Sequence, residues 1–227
     1  MNRYSIPSIH PAGWPFIGLF AAATVVLALI AKPLGWLGVL ATAWCVFFFR
    51  DPDRVPPEGA DLVLSPADGF VQAVTNAVPP QELDMDPHPR RRVSIFLDIF
   101  DVHVNRAPAA GTILRLSYRP GKFFNASLDK ASEFNERMSI LLATRTGHEI
   151  AFVQIAGLVA RRIVCDLKPE QTVMAGERFG MIRFGSRLDV YLPDDARLFA
   201  RRGQRMIAGQ SVIAQMIPAG EHGVGPE

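Results

Sequence analysis

The chain has 227 residues, with 24 Lys and Arg against 22 Asp and Glu and a formal net charge of +2 at pH 7. This balance argues against a protein that coats nucleic acid, and the 49% share of apolar residues excludes wholesale disorder. The two cysteines, Cys45 and Cys165, cannot build a disulfide framework, and nothing suggests a thiolate metal cage.

Two apolar segments near the N-terminus predict a membrane anchor. The first runs without a charge over 14–31, and the second covers 34–49 after an interruption at Lys32-Pro33. A spanning helix needs about 17–25 apolar residues, so the first segment is long enough and the second is marginal. Two arrangements follow: a helical hairpin with both ends on one side, or one span followed by a partly embedded segment.

Basic residues flank the two segments, with Arg3 before the first and Arg50 and Arg54 after the second. Because cytoplasmic flanks are enriched in Lys and Arg, both outer ends of a hairpin are expected in the cytoplasm. We therefore expect the chain at the cytoplasmic face of the cell membrane, either peripheral or hairpin-anchored. Residues 1–50 form the anchor in this interpretation, and 51–227 form a separate domain.

Beyond residue 57 the pattern changes to short apolar runs that are separated by Gly, Pro and Asp. They cover 61–64, 69–74, 93–97, 111–116, 149–155, 180–184 and 188–192. Many short strands with turn signals between them predict a mainly β domain, a sandwich or barrel-like fold with few helices.

The dipeptide Gly185-Ser186 has two interpretations. Taken alone it is typical of a turn, because glycine adopts unusual backbone angles and serine is common in turns. The alternative is self-processing, in which the serine hydroxyl attacks the preceding carbonyl and the resulting ester eliminates to leave an N-terminal pyruvoyl group. That ketone can form a Schiff base with a substrate amine and accept the electrons of a departing carboxylate.

Six stretches in order carry a resemblance to a known family: FFRDPDR at 48–54, SPADG at 65–69, VSIFLDIFDVHVNRAP at 93–108, PGKFFNASLDKAS at 120–132, NER at 135–137 and AGERFGMIRFGSRLDVYLP at 175–193. They resemble the phosphatidylserine decarboxylase proenzymes of the short, Gly-Ser type. The resemblance covers most of the chain, and agreement of so many blocks in the right order by chance is negligible.

The resemblance implies a membrane-anchored lyase that converts phosphatidylserine to phosphatidylethanolamine and carbon dioxide. Self-cleavage would fall between Gly185 and Ser186 and give a long chain, 1–185, and a short chain, 186–227. Ser186 would become the covalent pyruvoyl group, and no metal is required. The implied partners are phosphatidylserine in the membrane and the two chains of the cleaved molecule, with no nucleic acid; formation of a homo-oligomer is left open.

Asp68 and His103 match the aspartate and histidine that the family uses to activate the serine. This agrees with the rule that a weak hydroxyl nucleophile needs a base held by a third group. Long-type members carry a second histidine three residues after the first, where this chain has Arg106. Since arginine stays protonated, His103 must serve both steps or water must assist.

The substrate needs cationic partners for its phosphodiester and an apolar pocket around its carboxylate. The candidates for these roles are Lys122, Phe123, Phe124, Lys130 and Arg137, with Phe184 and the pair Arg161-Arg162 as further ones. Solvated surface explains each cation equally well, and core packing explains each aromatic residue.

Two other functions remain open from the residues alone. One is a related pyruvoyl lyase that acts on another amino-carboxylate, such as a different serine phospholipid. The other is a non-catalytic β domain, similar to lipoyl-type modules around 175–180, that tethers a partner to the membrane.

Overall fold

The computed structural model describes residues 7–121, 126, 134–157, 163–183 and 185–217. Its helices are α1, Trp14–Ile30, and α2, Lys32–Phe48. Its strands are β1 Ser8–Ile9, β2 Arg50–Asp51, β3 Leu62–Leu64, β4 Gly69–Ala77, β5 Arg90–Leu97, β6 Val104–Arg106, β7 Gly111–Arg119, β8 Arg137–Thr144, β9 Glu149–Ile155, β10 Ile163–Cys165, β11 Thr172–Val173, β12 Arg178–Ile182, β13 Ser186–Tyr191, β14 Arg197–Leu198, β15 Arg205–Met206 and β16 Val212–Gln215. This is the predicted mainly β domain behind two apolar helices.

The two helices form a closely packed hairpin. Ala31 between them is extended, with φ −157°, and therefore ends α1 before Pro33 enters the first turn of α2. A Cβ placed on Gly38 would lie 2.7 Å from the Thr24 hydroxyl, so the small residue allows the helices to approach. Thr24 and Thr42 share a hydrogen bond of 3.0 Å across this contact.

One helical segment in the described part of the chain is long and apolar enough to cross a membrane. It runs over Pro11–Ile30, has a mean hydropathy of 2.1, and includes the 3-10 turn before α1. The second helix is apolar but shorter, at 17 residues. Whether the hairpin spans fully stays a prediction.

The domain is built on an eight-stranded antiparallel sheet with the order β11-β7-β8-β9-β13-β5-β4-β15. Two three-stranded sheets, β10-β12-β6 and β14-β16-β3, accompany it. Strand β13 lies near the middle of the large sheet, between β9 and β5, and every one of its residues is buried. Because side chains alternate along a strand, Ser186 shares a face with the core residues Leu188 and Val190.

The base of the hairpin packs against the β domain. Cys45, Phe48 and Phe49 near the end of α2 form a buried cluster with three residues around β6 and β12, namely Val102, Val104 and Met181. Phe48 and Phe49 are 0% and 1% exposed, although the neighbouring Phe47 is 45% exposed. The division of the chain at residue 50 stays a prediction, but the last turn of α2 contributes to the domain's packing.

Candidate active site

Ser186 begins β13 and lies opposite Leu97 of β5. The residue is fully buried, and its Oγ has no hydrogen-bond partner among the described residues. Gly185 before it has φ +60°, in the left-handed region that disfavours residues with a Cβ. This backbone conformation explains why the residue before the serine is a glycine.

His103 follows the loop that leaves β5 and is also fully buried. Its Nδ1 lies 2.9 Å from the backbone carbonyl of Asp101, so Nδ1–H donates and the lone pair of the neutral ring sits on Nε2. Nε2 is buried and has no partner within the described ranges. Burial lowers the pKa of His103 from 6.5 to about 4, which makes the ring a neutral base at physiological pH.

The ring of Phe48 covers His103, with 4.1 Å between ring centroids and an interplanar angle of 37°. The aromatic ring excludes water from one side of the imidazole, and desolvation is the largest cause of its lowered pKa. The end of α2 therefore forms a wall of the site.

Two buried amides lie on the strand that follows the histidine and on a strand paired with the serine strand. Gln154 Nε2 donates to Asn105 Oδ1 at 2.8 Å, which joins β9 to β6. Gln154 also lies opposite Leu188, two residues from Ser186 and on the same face of β13. Asn105 Nδ2 and Gln154 Oε1 have no hydrogen-bond partner in the described structure.

Four buried polar atoms thus have no hydrogen-bond partner among the described residues: Ser186 Oγ in β13, Gln154 Oε1 in β9, Asn105 Nδ2 in β6 and His103 Nε2 directly before β6. Native proteins leave few buried polar atoms without partners, and those that remain often have a chemical role. These buried residues include a hydroxyl nucleophile, a neutral base and two amide groups.

Asp68 has partners of its own near this site. Its Oδ2 accepts from Arg54 Nη2 at 2.9 Å, and its Oδ1 accepts from the Ala208 N–H at 2.8 Å. Burial raises the pKa of Asp68, against the opposing effects of these two contacts. In the described residues the group that orients His103 is the Asp101 carbonyl, and the role of Asp68 in activating the serine stays a prediction.

Arg106, which stands where long-type members carry a second histidine, has a structural environment. Its guanidinium donates to the carbonyls of Gly176 and Pro52, each at 2.9 Å, and lies 3.4 Å from Asp51. The side chain ties the segment after α2 to the turn before β12. Among the described residues, Arg106 therefore serves a structural role and supplies no base, and the role of His103 as the base stays a prediction.

Of the predicted substrate-binding residues, Arg137 is described. It forms a bidentate ion pair with Glu82, at 2.7 and 2.8 Å, and its side chain is 8% exposed. Binding a phosphodiester would require competition with that carboxylate, so its substrate role stays a prediction. The other candidates, Lys122, Phe123, Phe124, Lys130, Phe184 and the pair Arg161-Arg162, lie outside the described residues.

Sequence reasoning assigned no role in the active site to Phe48, Asp101, Asn105 or Gln154. Asn105 lies two residues after His103, so strand alternation could have suggested that both side chains face one site. The Asp101 contact comes from a backbone carbonyl and has no sequence signature. Within the described ranges, no cluster of three or more His, Cys, Asp and Glu side chains could hold a metal ion.

Replacing His103 with Gln is expected to reduce the loss of stability in acid. Because the pKa of His103 is lowered in the folded state, the folded protein binds the proton less readily than the unfolded chain does. The free energy of unfolding is therefore unaffected by His103 titration above pH 6.5 and decreases as the pH falls to about 4. The difference between the two pKa values, 6.5 and about 4, corresponds to a decrease of about 3 kcal/mol in the free energy of unfolding. Urea unfolding of wild type and His103→Gln at pH 7 and pH 4 would measure it, and equal losses in the two proteins would contradict the assignment.

Comparisons with known proteins all point to one family. A family model described as phosphatidylserine decarboxylase matches residues 41–214, and its match begins within α2. A phosphatidylserine decarboxylase proenzyme of Paramagnetospirillum magneticum is 58% identical over 216 residues, which cover 95% of this chain and 90% of the relative. Proteins of the same name from Rickettsia bellii and Ruegeria pomeroyi are 58% and 56% identical, covering 91% and 95% of this chain and 89% and 99% of the relatives.

Proposed function

Since the chain belongs to the phosphatidylserine decarboxylase family, we propose that it makes its own catalytic group by cleavage between Gly185 and Ser186. The activity is the decarboxylation of phosphatidylserine to phosphatidylethanolamine and carbon dioxide. This identity disfavours the alternative of a non-catalytic membrane tether. The observation that carries the cleavage proposal is the buried Ser186 Oγ, which has no hydrogen-bond partner in the described part of the chain and directly follows a glycine in the left-handed region.

The first step is attack of Ser186 Oγ on the carbonyl carbon of Gly185. His103 Nε2 accepts the hydroxyl proton, because the ring is neutral and Nε2 carries the free lone pair. The C–N bond then breaks, and the nitrogen takes up the proton, which leaves an ester between Gly185 and the side chain of Ser186. The glycine's positive φ helps the peptide adopt the geometry of attack.

Loss of the Ser186 Cα proton then breaks the Cβ–Oγ bond and releases Gly185 as a carboxylate. One water replaces the nitrogen of Ser186, which departs as ammonia, and a pyruvoyl group caps the short chain. The residues fit this group, because the position of Ser186 is buried and Gln154, on the same face of the sheet, has an amide oxygen without a hydrogen-bond partner among the described residues. The group supplies a carbonyl that binds the substrate amine and accepts the electrons left by carbon dioxide.

The chain's own residues supply orientation, a proton and a dry site. Asn105 Nδ2 is an amide donor without a partner among the described residues, and Gln154 fixes its direction by holding Oδ1. His103 can return a proton to the carbon that loses the carboxylate. The apolar wall formed by Phe48 favours loss of charge as carbon dioxide leaves.

The hairpin would hold this site at the cytoplasmic face of the membrane, where a two-tailed lipid can reach it without leaving the bilayer. The apolar segment Pro11–Ile30 and the packing of Phe48 beside His103 support the placement. The anchor and the active site would then be neighbours.

An intact-mass spectrum of the purified protein under denaturing conditions tests the proposal. We expect two chains, 1–185 and 186–227, with the second lighter than its sequence by the mass of one ammonia. Vesicles containing phosphatidylserine should release carbon dioxide in proportion to the cleaved fraction. A single full-length mass in a sample that decarboxylates phosphatidylserine would overturn the self-cleavage mechanism.

A further inference from the structure

Gly157 lies against the carbonyl that self-cleavage would attack. A Cβ built on Gly157 would stand 1.7 Å from the carbonyl oxygen of Gly185, far inside any permitted contact. Extending the register of β9 and β13, in which Ile155 faces Arg187, places residues 157 and 185 opposite each other. The oxygen therefore occupies the space that a side chain at 157 would fill.

Both sides of this contact are held in place. Ala156, just before Gly157, donates its N–H to the Glu136 carbonyl at 2.9 Å and accepts from Asn135 Nδ2 at 2.7 Å. Ser186, just after Gly185, is paired with Leu97 in the ladder with β5. Because hydrogen bonds fix the residues next to each glycine, neither backbone can retreat cheaply from an added methyl group.

The contact also determines how the carbonyl meets its nucleophile. An attacking oxygen must approach the carbonyl carbon from a defined direction, so the direction of the C=O bond sets the face presented to Ser186 Oγ. Gly185 has φ +60°, and a Cβ built there would meet no described atom within 4 Å. Among the described glycines, Gly157 is the one whose added Cβ would overlap the Gly185 oxygen.

We propose that Gly157 is a positioning residue for self-cleavage, which seats the Gly185 carbonyl so that its carbon faces Ser186 Oγ. This rests on the proposed cleavage at Gly185-Ser186. Gly157 has this role only until the bond between Gly185 and Ser186 breaks. After cleavage the Gly185 carbonyl is part of the free C-terminus of the long chain. Gly157 thus acts on maturation and leaves turnover of the mature enzyme unchanged.

The test is Gly157→Ala in the full-length chain, synthesised in a cell-free system with phospholipid vesicles and followed by gel after a pulse of label. Since a displacement of about 1 Å at a reacting group can cost about 100-fold, cleavage should slow by about that factor. The fraction that does cleave should decarboxylate phosphatidylserine at the wild-type rate per pyruvoyl group.

Gly111→Ala is the matched control. A Cβ on Gly111 would stand 2.1 Å from the Ala143 carbonyl, so it also pushes on a backbone oxygen, but between β7 and β8. It should lower the melting temperature without slowing cleavage of the folded chain. Equal slowing in both variants would reduce the effect to general strain and overturn the proposal, as would wild-type cleavage by folded Gly157→Ala.

A second variant keeps the test decisive if Gly157→Ala does not fold. Asn135→Ala removes the amide that holds the Ala156 carbonyl without introducing a clash, and it should slow cleavage by about tenfold. Unchanged cleavage in that variant counts against the proposal. Failure of the wild-type chain to cleave under the same conditions would instead reject the self-cleavage mechanism itself, so the two failures are distinguishable.

Discussion

Ser186→Ala is expected to yield a folded, uncleaved chain that does not decarboxylate phosphatidylserine. The change removes the hydroxyl that attacks Gly185 and supplies the oxygen released with it. Because Oγ has no hydrogen-bond partner in the described structure, its removal leaves no buried group newly unpaired. The intact mass should be that of the full 25.0 kDa chain, and the melting temperature should not fall below that of an uncleaved wild-type sample.

Ser65→Ala is the control for this experiment. Ser65 is a buried serine whose Oγ donates to the Ala67 carbonyl at 2.7 Å, so its loss should cost about 1 kcal/mol of stability. That variant should still be cleaved and active. Comparing the two variants therefore distinguishes loss of the nucleophile from loss of a buried hydroxyl. Cleavage of Ser186→Ala at the same bond would contradict the mechanism.

The strands could be predicted where burial and composition agree. Strand β9 occupies 149–155 as predicted, because its run of apolar residues is buried on both faces. Strand β12 covers 178–182 and not the predicted 180–184, since Gly180 lies inside it. A Cβ there would stand 2.1 Å from the Val164 carbonyl, so this glycine marks a close approach of two strands and not the start of one.

The candidate site was accessible from the sequence only in part. Gly185, Ser186 and His103 stand in motifs that resemble a family, and their roles in the chemistry stay predictions. The carbonyl of Asp101 was not predictable, because any residue can supply that atom. Phe48 was assigned to the apolar anchor, and apolar character is the same whether a side chain meets lipid or covers a histidine.

Phe48→Ala is expected to damage both the fold and the site, although the residue belongs to the apolar hairpin. Its side chain is fully buried against His103 and the β domain, so truncation should cost about 3–5 kcal/mol in stability. Phe47→Ala is the matched control, because Phe47 is 45% exposed and its ring contacts Arg50, a contact worth about 0.5–1 kcal/mol.

The same variant should change the pH dependence of self-cleavage. Burial lowers the pKa of His103 to about 4, and water admitted by the lost ring would raise the pKa toward the ordinary 6.5. Since only the neutral ring accepts the serine proton, cleavage at pH 5.5 should slow in Phe48→Ala relative to pH 7.5, while wild type and Phe47→Ala cleave similarly at both.

Parallel pH profiles in all three proteins would mean that the base of the anchor does not control the pKa of His103. A shifted profile in Phe48→Ala alone would make the last turn of α2 a working part of the active site, because membrane anchoring by itself has no effect on the proton affinity of an imidazole.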